Sequence, residues 1–597
     1  MKTILPLLKN MLKHSISLTA CLCLFACTPA DQPDAKIHSA AQKALSGTTE
    51  NSWYRESAVA VSQTNEQARQ LALEPGTAKN IILFVGDGMG VSTVTAARIL
   101  DGQQKGMSGE ENSLSFGRFP FVGLSKTYNV DAQTADSAGT MTAIISGVKT
   151  NIGIVGLNEN ARRGDCASAR GNELFSALEL AEIAGLATGI VSTARITHAT
   201  PAATYAKTPD RNWENPSKMP AAAIAAGCED IASQLIHFEH NLEARYPGAD
   251  IDGIEVVLGG GRREFLPADP AANSSDADSK VEGDRNDGRN LITEWSALYP
   301  DGDYVFDQGG FAAVEPDRVR HLFGLFSESH MRYAADRNND LAGEPSLTEM
   351  TSKAIDILDN NKQGFFLMVE AGRIDHGHHA NSAYAALNDT VELSRAVQAA
   401  LDATNPEETL IVVTADHSHV FTMAGYPKRG NPILGKVIQV GDDKPTLGAD
   451  GLPFTTLGYS NGPGFHNFGD ETNADKVYYS APFHSTLHST LHSTLQSGLQ
   501  SGLQSARDGS ASAGDNAKSS AATEVRPDLS EVNTEASGFH QEALVPATAE
   551  THGGEDVPIY ATGPGAHLVT GSHEQSIIFH VINHAGNLFD RAAAALK

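Results

Sequence analysis

The sequence predicts an α/β protein with a large central, mostly parallel sheet flanked by helices. Three observations carry that prediction. Short apolar runs recur at residues 81–85, 187–191, 254–258, 365–369, 410–413, 557–560 and 577–581. Each has the length and composition of a strand covered on both faces. Between them lie amphipathic stretches. From Asn381 to Leu401, Leu387 and Val391, then Leu393, Val397 and Leu401, recur at steps of four, as on a helix with one apolar face. Such alternation is that of a sheet flanked by helices. A chain of 597 residues also suits one large domain with insertions better than one small core.

The elements follow in order. Residues 1–27 read as an export signal. Lys2, Lys9 and Lys13 form a positive start, and residues 16–26 are apolar but too short to span a bilayer. The signal ends Leu24-Phe25-Ala26-Cys27, which resembles a bacterial lipobox with Cys27 as the lipidated first mature residue. Phe25 is unusual there, so ordinary cleavage is the alternative. The expected location is the periplasm, or the outer membrane through a lipid anchor. No other stretch is long and apolar enough to cross a membrane. Residues 28–75 read as a tether and an N-terminal helix, and 76–420 as the first part of the catalytic core. Within it, residues 266–290 are rich in Asp, Asn, Gly and Ser and read as a solvated loop, since the acids fit no EF-hand.

Residues 421–549 form an insertion of another kind, Gly/Pro/Ser-rich and weakly patterned. It carries a low-complexity repeat over 484–506, in which Leu487, Leu491, Leu495, Leu499 and Leu503 recur every fourth residue. A flexible segment is favoured over an amphipathic helix because Ser, Thr and Gly are poor helix formers. His484, His488 and His492 could hold a metal at that spacing, but this is the weaker reading. Residues 550–597 return to the core. Of five cysteines, Cys21 and Cys23 leave with the signal and Cys27 would carry lipid. Cys166 and Cys228 remain, and outside the cytosol a disulfide is favoured over two thiols.

Lys+Arg total 44 and Asp+Glu 72, a net charge of -28. That balance argues against nucleic acid and against anionic lipid as partners. An anionic substrate would need a strongly positive local site, which metal ions can supply.

Six segments carry the chemistry. Glu370-Ala-Gly-Arg-Ile-Asp375-His376-Gly-His378-His379 follows directly on an apolar run. Carboxylates and imidazoles at the rim of a sheet suit zinc or a similar cation, and a polar surface loop is the competing reading. Asp87 stands in a glycine-rich turn after residues 81–85. Asp136 is placed to cap a helix that Ser137 opens. Ser137 is a candidate nucleophile or merely part of the cap. Without a Gly-x-Ser-x-Gly elbow, its activator would be a metal rather than a His/Asp pair. His198 and Thr200 could reach a metal or its waters. Arg211 could clamp two phosphate oxygens, although alone it would read as a surface arginine. Asp416 and His417 end the run at 410–413, and His552 precedes the run at 557–560.

Together these segments resemble the alkaline phosphatases. The resemblance runs from about Asn80 to the C-terminus, apart from residues 470–549. It rests on Val85-Gly86-Asp87-Gly88-Met89-Gly90, Asp136-Ser137-Ala138-Gly139-Thr140, His198-Ala199-Thr200-Pro201, the segment 369–379, Thr414-Ala415-Asp416-His417 and Glu550-Thr551-His552. It is closer to the branch containing the animal enzymes, since His198 and His376 stand where the enteric periplasmic branch carries Asp and Lys. Cys166 and Cys228 match a disulfide of the animal-type branch.

The resemblance implies a metal-dependent hydrolase of broad phosphomonoesters acting through a phosphoserine. Asp375, His379 and His552 would hold one Zn2+, and Asp87, Asp416 and His417 a second. Asp87, Thr200 and Glu370 would face a third ion, Mg2+, with Zn2+ or Co2+ possible because of His198. Ser137 would be the nucleophile, Arg211 the phosphoryl clamp and Asp136 its support. His198 and His376 would stand behind the ligands, and His378 and His419 would not ligate. A homodimer with a crown-like insertion is also implied. The animal-type calcium site follows Gly-Leu-Phe-Glu, whereas Gly324-Leu325-Phe326 is followed here by Ser327 and then Glu328, which puts Ca2+ in doubt.

Rival readings are a phosphodiesterase or sulfatase of the same superfamily, and a non-catalytic lipoprotein that binds zinc or phosphate. Ser137-Ala-Gly-Thr-Met lacks the Pro and Arg of a sulfatase motif, and a mere binder needs no Ser137.

Overall fold

The structure is a computed structural model that describes residues 77–479 and 526–596. The export signal with Cys27, the tether and N-terminal helix over 28–75, and the 484–506 repeat lie outside the described residues. Strands in chain order are β1 (Asn80–Gly86), β2 (Phe121–Lys126), β3 (Ala187–Arg195), β4 (Val256–Gly260), β5 (Asp303–Val305), β6 (Leu322–Leu325), β7 (Phe365–Ala371) and β8 (Thr409–Ala415). Then come the short β9 (Ser418–His419), β10 (Phe421–Met423), β11 (Leu457–Gly462), β12 (His466–Asn467), β13 (Phe539–His540), β14 (Ala543–Pro546) and β15 (His552–Gly553), and finally β16 (Val557–Thr562) and β17 (Gly571–Glu574).

Ten of these make one sheet in the order β17-β2-β16-β8-β1-β7-β3-β4-β6-β5. Only β16 runs against the others, pairing antiparallel with β8 and β2. The central strands β1, β7 and β8 are buried along their whole length. Their side chains alternate between two cores, as the two-residue strand period requires. Ile81, Leu83 and Val85, with Phe366, Met368, Leu410 and Val412, face one core. Ile82 and Phe84, with Phe365, Leu367, Val369, Ile411 and Val413, face the other. The helix Ser137–Ser146 packs into the first, and Val91–Gln104, Leu347–Leu358 and Ala383–Ala403 into the second. Covered on both faces, the sheet leaves its strand ends as the place where polar groups gather.

Residues 577–581 are a correction. They begin the helix Ile577–Gly586, not a strand. Ile578, Phe579, Val581, Ile582 and Ala585 are buried, a 3–4 spacing that becomes visible only when the stretch is read beyond its first five residues. The loop at 266–290 is the largely exposed loop expected, but several of its acids are paired. Arg262 holds Asp276 and Glu282, Arg285 holds Asp287, and Arg332 reaches Asp278. Glu328 accepts hydrogen bonds from Ser279 N and Oγ at 3.1 and 2.6 Å, so its carboxylate is engaged by that loop.

Within residues 421–549, β10, β11 and β14 form a small sheet, and β12 pairs with β13. β9 pairs with β15 and so places His419 opposite His552. Among the described residues no helix is long and apolar enough to cross a membrane.

Cys166 and Cys228 form a disulfide with Cα atoms 5.9 Å apart. It closes a segment that contains β3, His198, Thr200 and Arg211. Chain-entropy reasoning gives such a loop, with a sequence separation of 62, about 4 kcal/mol of stabilisation. Cys228→Ser is therefore expected to lower the unfolding free energy by about that amount, measured by denaturant titration of the oxidised chain. An unchanged midpoint would contradict this.

Candidate metal centre

The site lies at the carboxyl ends of β8, β1, β7 and β3, four neighbours in the sheet. Asp87 follows β1, Glu370 lies near the end of β7, and Asp416 and His417 follow β8. Asp375 and His379 sit on the short helix Arg373–His379 just past β7. His198 precedes the helix Ala199–Tyr205, beyond β3, and Thr200 lies within it. Four carboxylates, Asp87, Glu370, Asp375 and Asp416, are thus buried together.

Asp375 Oδ1 is ringed by imidazoles. His419 Nε2 lies at 2.8 Å, His379 Nε2 at 3.3 Å and His552 Nε2 at 3.4 Å. Backbone carbonyls fix two of these rings. His379 Nδ1 donates to Glu550 O at 2.5 Å, and His552 Nδ1 donates to Ala135 O at 2.7 Å. Both therefore turn an Nε2 lone pair toward Asp375 and toward each other, 3.3 Å apart. Without an ion, Asp375 outweighs burial and raises the His379 imidazole, so a proton is favoured at this point, where a bound cation would take its place. These residues fit a nitrogen- and oxygen-ligated ion such as zinc.

His419 differs. Its two nitrogens bridge Glu550 and Asp375. Burial opposes its charge, but Glu550 and Asp375 outweigh burial and push its pKa up to about 10. It is a charged clamp on Asp375 rather than a free lone pair. His378 is taken by Thr93 Oγ1 and Tyr459 Oη, each at 2.9 Å.

The second group is Asp87, Asp416 and His417. His417 Nε2 lies 3.4 Å from Asp87 Oδ1, 3.3 Å from Asp416 Oδ2 and 3.1 Å from Ser137 Oγ. Burial and then Asp416 hold the Asp87 carboxyl well above its usual range. Neither oxygen of Asp87 has a hydrogen-bond partner, although the residue is fully buried. Glu370 Oε1, Thr200 Oγ1 and His198 Nδ1 are orphaned in the same way. Asp87, Glu370 and His198 form the third group that could hold an ion. Unpaired buried oxygens of this kind carry a desolvation cost that a cation removes. The oxygens of Asp87, Glu370 and Thr200 suit a hard cation.

The phosphoryl side is built from a helix start and a guanidinium. Asp136 caps the helix Ser137–Ser146 by accepting from Gly139 N at 3.1 Å. It also accepts from Asn129 Nδ2 and Gly153 N, and Arg211 Nη1 lies 3.0 Å from its Oδ2. Burial would raise the Asp136 carboxyl, but Arg211 and these amides hold it below its usual range. Arg211 Nη2 reaches His198 Nε2 at 3.2 Å. Burial and nearby guanidinium groups push the His198 imidazole down to about 3.

Among the described residues, the catalytic and metal candidates named from the sequence converge on one place, while Cys166 and Cys228 lie elsewhere. Sequence reasoning assigned nothing to Glu550, Ser192, Asn129, Thr140 or His330. Ser192 Oγ donates to Glu370, and Thr140 Oγ1 donates to Asp416 at 3.3 Å. Ser192 and Thr140 give no spacing signal, because their partners are more than a hundred residues away, while Asn129 lies only seven residues from Asp136.

The model of the alkaline phosphatase family matches residues 78–588. The chain belongs to the alkaline phosphatase family. It is 41% identical over 517 residues to the tissue-nonspecific isozyme of Rattus norvegicus, covering 86% of this chain and 84% of that protein. It is likewise 41% identical over 515 residues to the alkaline phosphatase of Gadus morhua, covering 86% and 92%. Its fold is shared with the Thermus thermophilus alkaline phosphatase at 22% identity and a TM-score of 0.54, over 87% of this chain and 95% of that one. The enzyme of the Antarctic bacterium TAB5 aligns at 19% identity and 0.51, over 86% and 99%. The chain is a phosphoric monoester hydrolase, as alkaline phosphatases are, and the family is metal-dependent and acts on small phosphomonoesters.

Metal removal has a calculable sign. In the metal-free protein, burial raises Glu370 from 4.5 to about 7. The folded state then binds more protons than the unfolded one across that window. This contribution to stability is present below pH 4.5 and is lost as pH rises through about 7. Thermal unfolding in chelator should show a melting temperature that falls across this range more steeply than that of the metal-loaded enzyme. Parallel profiles would contradict the placement of cations among these carboxylates.

Proposed function

We propose that this alkaline phosphatase hydrolyses a broad range of phosphomonoesters through a phosphoserine at Ser137. The observation that carries the reading is Ser137 Oγ at a helix N-terminus, 3.1 Å from His417 Nε2 and beside the Asp136–Arg211 pair. In this reading Asp375, His379 and His552 hold one zinc, Asp87, Asp416 and His417 a second, and Asp87, Thr200 and Glu370 a magnesium. When bound, these cations supply positive charge that favours the Ser137 alkoxide and the departing oxygen.

Ser137 Oγ attacks phosphorus in line, forming its own P–O bond as the bond to the alcohol breaks. The alcohol leaves with a proton. Arg211, fixed by Asp136, binds two equatorial oxygens, and the helix amides stabilise their charge. Water then attacks the phosphoserine, releasing phosphate and returning the proton to Ser137. His376 and His198 back the ligands without contacting the reacting atoms. The phosphoryl group is gripped on all sides while the alcohol is left largely unread, which favours broad specificity.

The rest of the reading rests on the N-terminal sequence and on family resemblance. The chain is exported to the periplasm or outer membrane, with Cys27 as a lipid anchor. It assembles as a homodimer with a crown-like insertion over 421–549.

Ser137→Ala is expected to lower monoester turnover by about a thousandfold or more, with diester turnover weak in both forms. Acid quenching with labelled substrate should trap phosphate on the wild-type peptide that carries Ser137. Unchanged turnover in Ser137→Ala would exclude the phosphoserine route.

A further inference from the structure

Beside the three groups already described lies a fourth, made only of imidazoles. Potential ligand nitrogens of His198, His330 and His376 come within 4.8 Å of one another. His330 and His376 rings are 4.1 Å apart between centroids, and each is within 5.6 Å of His198. All three are half-buried, so an ion could reach them from solvent.

The cluster is built, not incidental. His330 comes from the loop after β6. The Met331 N–H donates to Thr193 O at 3.0 Å, tying that loop to β3. Gly260 makes the approach possible, because a Cβ there would lie 2.3 Å from Ser329 O and 3.0 Å from Met331 N. His198 and His376 are set by β3 and β7, the strands on which the metal centre depends.

Each ring faces a guanidinium. Arg195 Nη1 lies 2.6 Å from His330 Nε2, with the Arg195 N–H at 3.2 Å from Nδ1. Arg211 Nη2 lies 3.2 Å from His198 Nε2, and Arg373 Nη1 lies 3.0 Å from His376 Nδ1. A guanidinium only donates, so the ring nitrogen it faces in His198 and His376 carries that ring's lone pair, and His330, with Arg195 donors at both nitrogens, accepts at one of them. The three guanidiniums also have carboxylates: Glu214 for Arg195, Asp136 for Arg211 and Asp475 for Arg373. Each can give up its imidazole and keep its counter-charge, so the cage carries little net repulsion toward a cation.

We propose that His198, His330 and His376 form a separate transition-metal site, distinct from the zinc pair and from the oxygen-lined site at Asp87. Three neutral nitrogen donors with room for water select zinc, cobalt(II) or nickel(II) over magnesium or calcium. His198 then serves this triad, and Asp87, Glu370 and Thr200 keep an oxygen site for magnesium. The proposal rests on the zinc-pair reading only for the total count of ions.

The full chain is stripped with chelator, refilled with cobalt(II) in excess magnesium, desalted, and its metals counted by mass spectrometry. Wild type is expected to hold three cobalt ions and one magnesium. His330→Gln and His376→Gln should each lose one cobalt and keep the magnesium. Two cobalt ions in the wild type would overturn the proposal. So would a third cobalt that both variants retain, since that ion would sit in the oxygen-lined site. The variants' count of two tests the zinc pair, and the difference of one tests the triad. If one variant fails to fold, as judged by its melting curve, the other and the wild-type count decide.

Discussion

The burial of four carboxylates at the ends of neighbouring strands is the constraint on which this structure turns. Asp87, Glu370, Asp375 and Asp416 are all screened from solvent. Two like charges 4 Å apart cost about 4 kcal/mol even at an effective dielectric of 20. A domain is stable by only about 5–15 kcal/mol. Charged protein groups offset part of this repulsion, above all the His419 bridge between Asp375 and Glu550. They do not reach Asp87, whose two oxygens have no partner. Cations bound there would resolve the conflict, in keeping with a metal-dependent family, and would supply the charge that phosphate-ester hydrolysis needs.

The fold serves that constraint. Parallel strands β8, β1, β7 and β3 lie side by side, so residues far apart in sequence meet where the strands end. The sheet is covered on both faces, which leaves the rim as its polar edge. β9 and β15 then bring His552 across from His419, more than a hundred residues away. The Cys166–Cys228 disulfide brackets the stretch that delivers His198, Thr200 and Arg211. Asp136 joins the two halves, capping the helix Ser137–Ser146 with one oxygen and holding Arg211 with the other.

Much of this was legible in the sequence because the signals were local. The buried runs before Asp87, Glu370 and Asp416 announced central strands, and an acid directly after such a run announced the rim. The strands β2, β5 and β17 were not legible, since they are half-exposed and lack a continuous apolar signature, and the buried β6 is only four residues long with Gly324 inside it. Residues 577–581 misled for the opposite reason: five apolar residues fit a strand and a buried helix turn equally well. The acids of 266–290 looked solvated because Arg262, Arg285 and Arg332 give no hint in sequence of which carboxylate they will meet. His330 was invisible because only the packing of its loop against Gly260 brings it to His198 and His376. His378 and His379 are adjacent, yet one is spent on Thr93 and Tyr459 and the other faces Asp375.

The central claim is that cations stand among these carboxylates. Anomalous diffraction at the zinc absorption edge, on crystals of the metal-loaded enzyme, tests it most directly. The account predicts one peak enclosed by Asp375, His379 and His552, and another enclosed by Asp87, Asp416 and His417. Fully loaded crystals with no zinc signal at either place, or with Asp87 bonded only to protein groups, would contradict it.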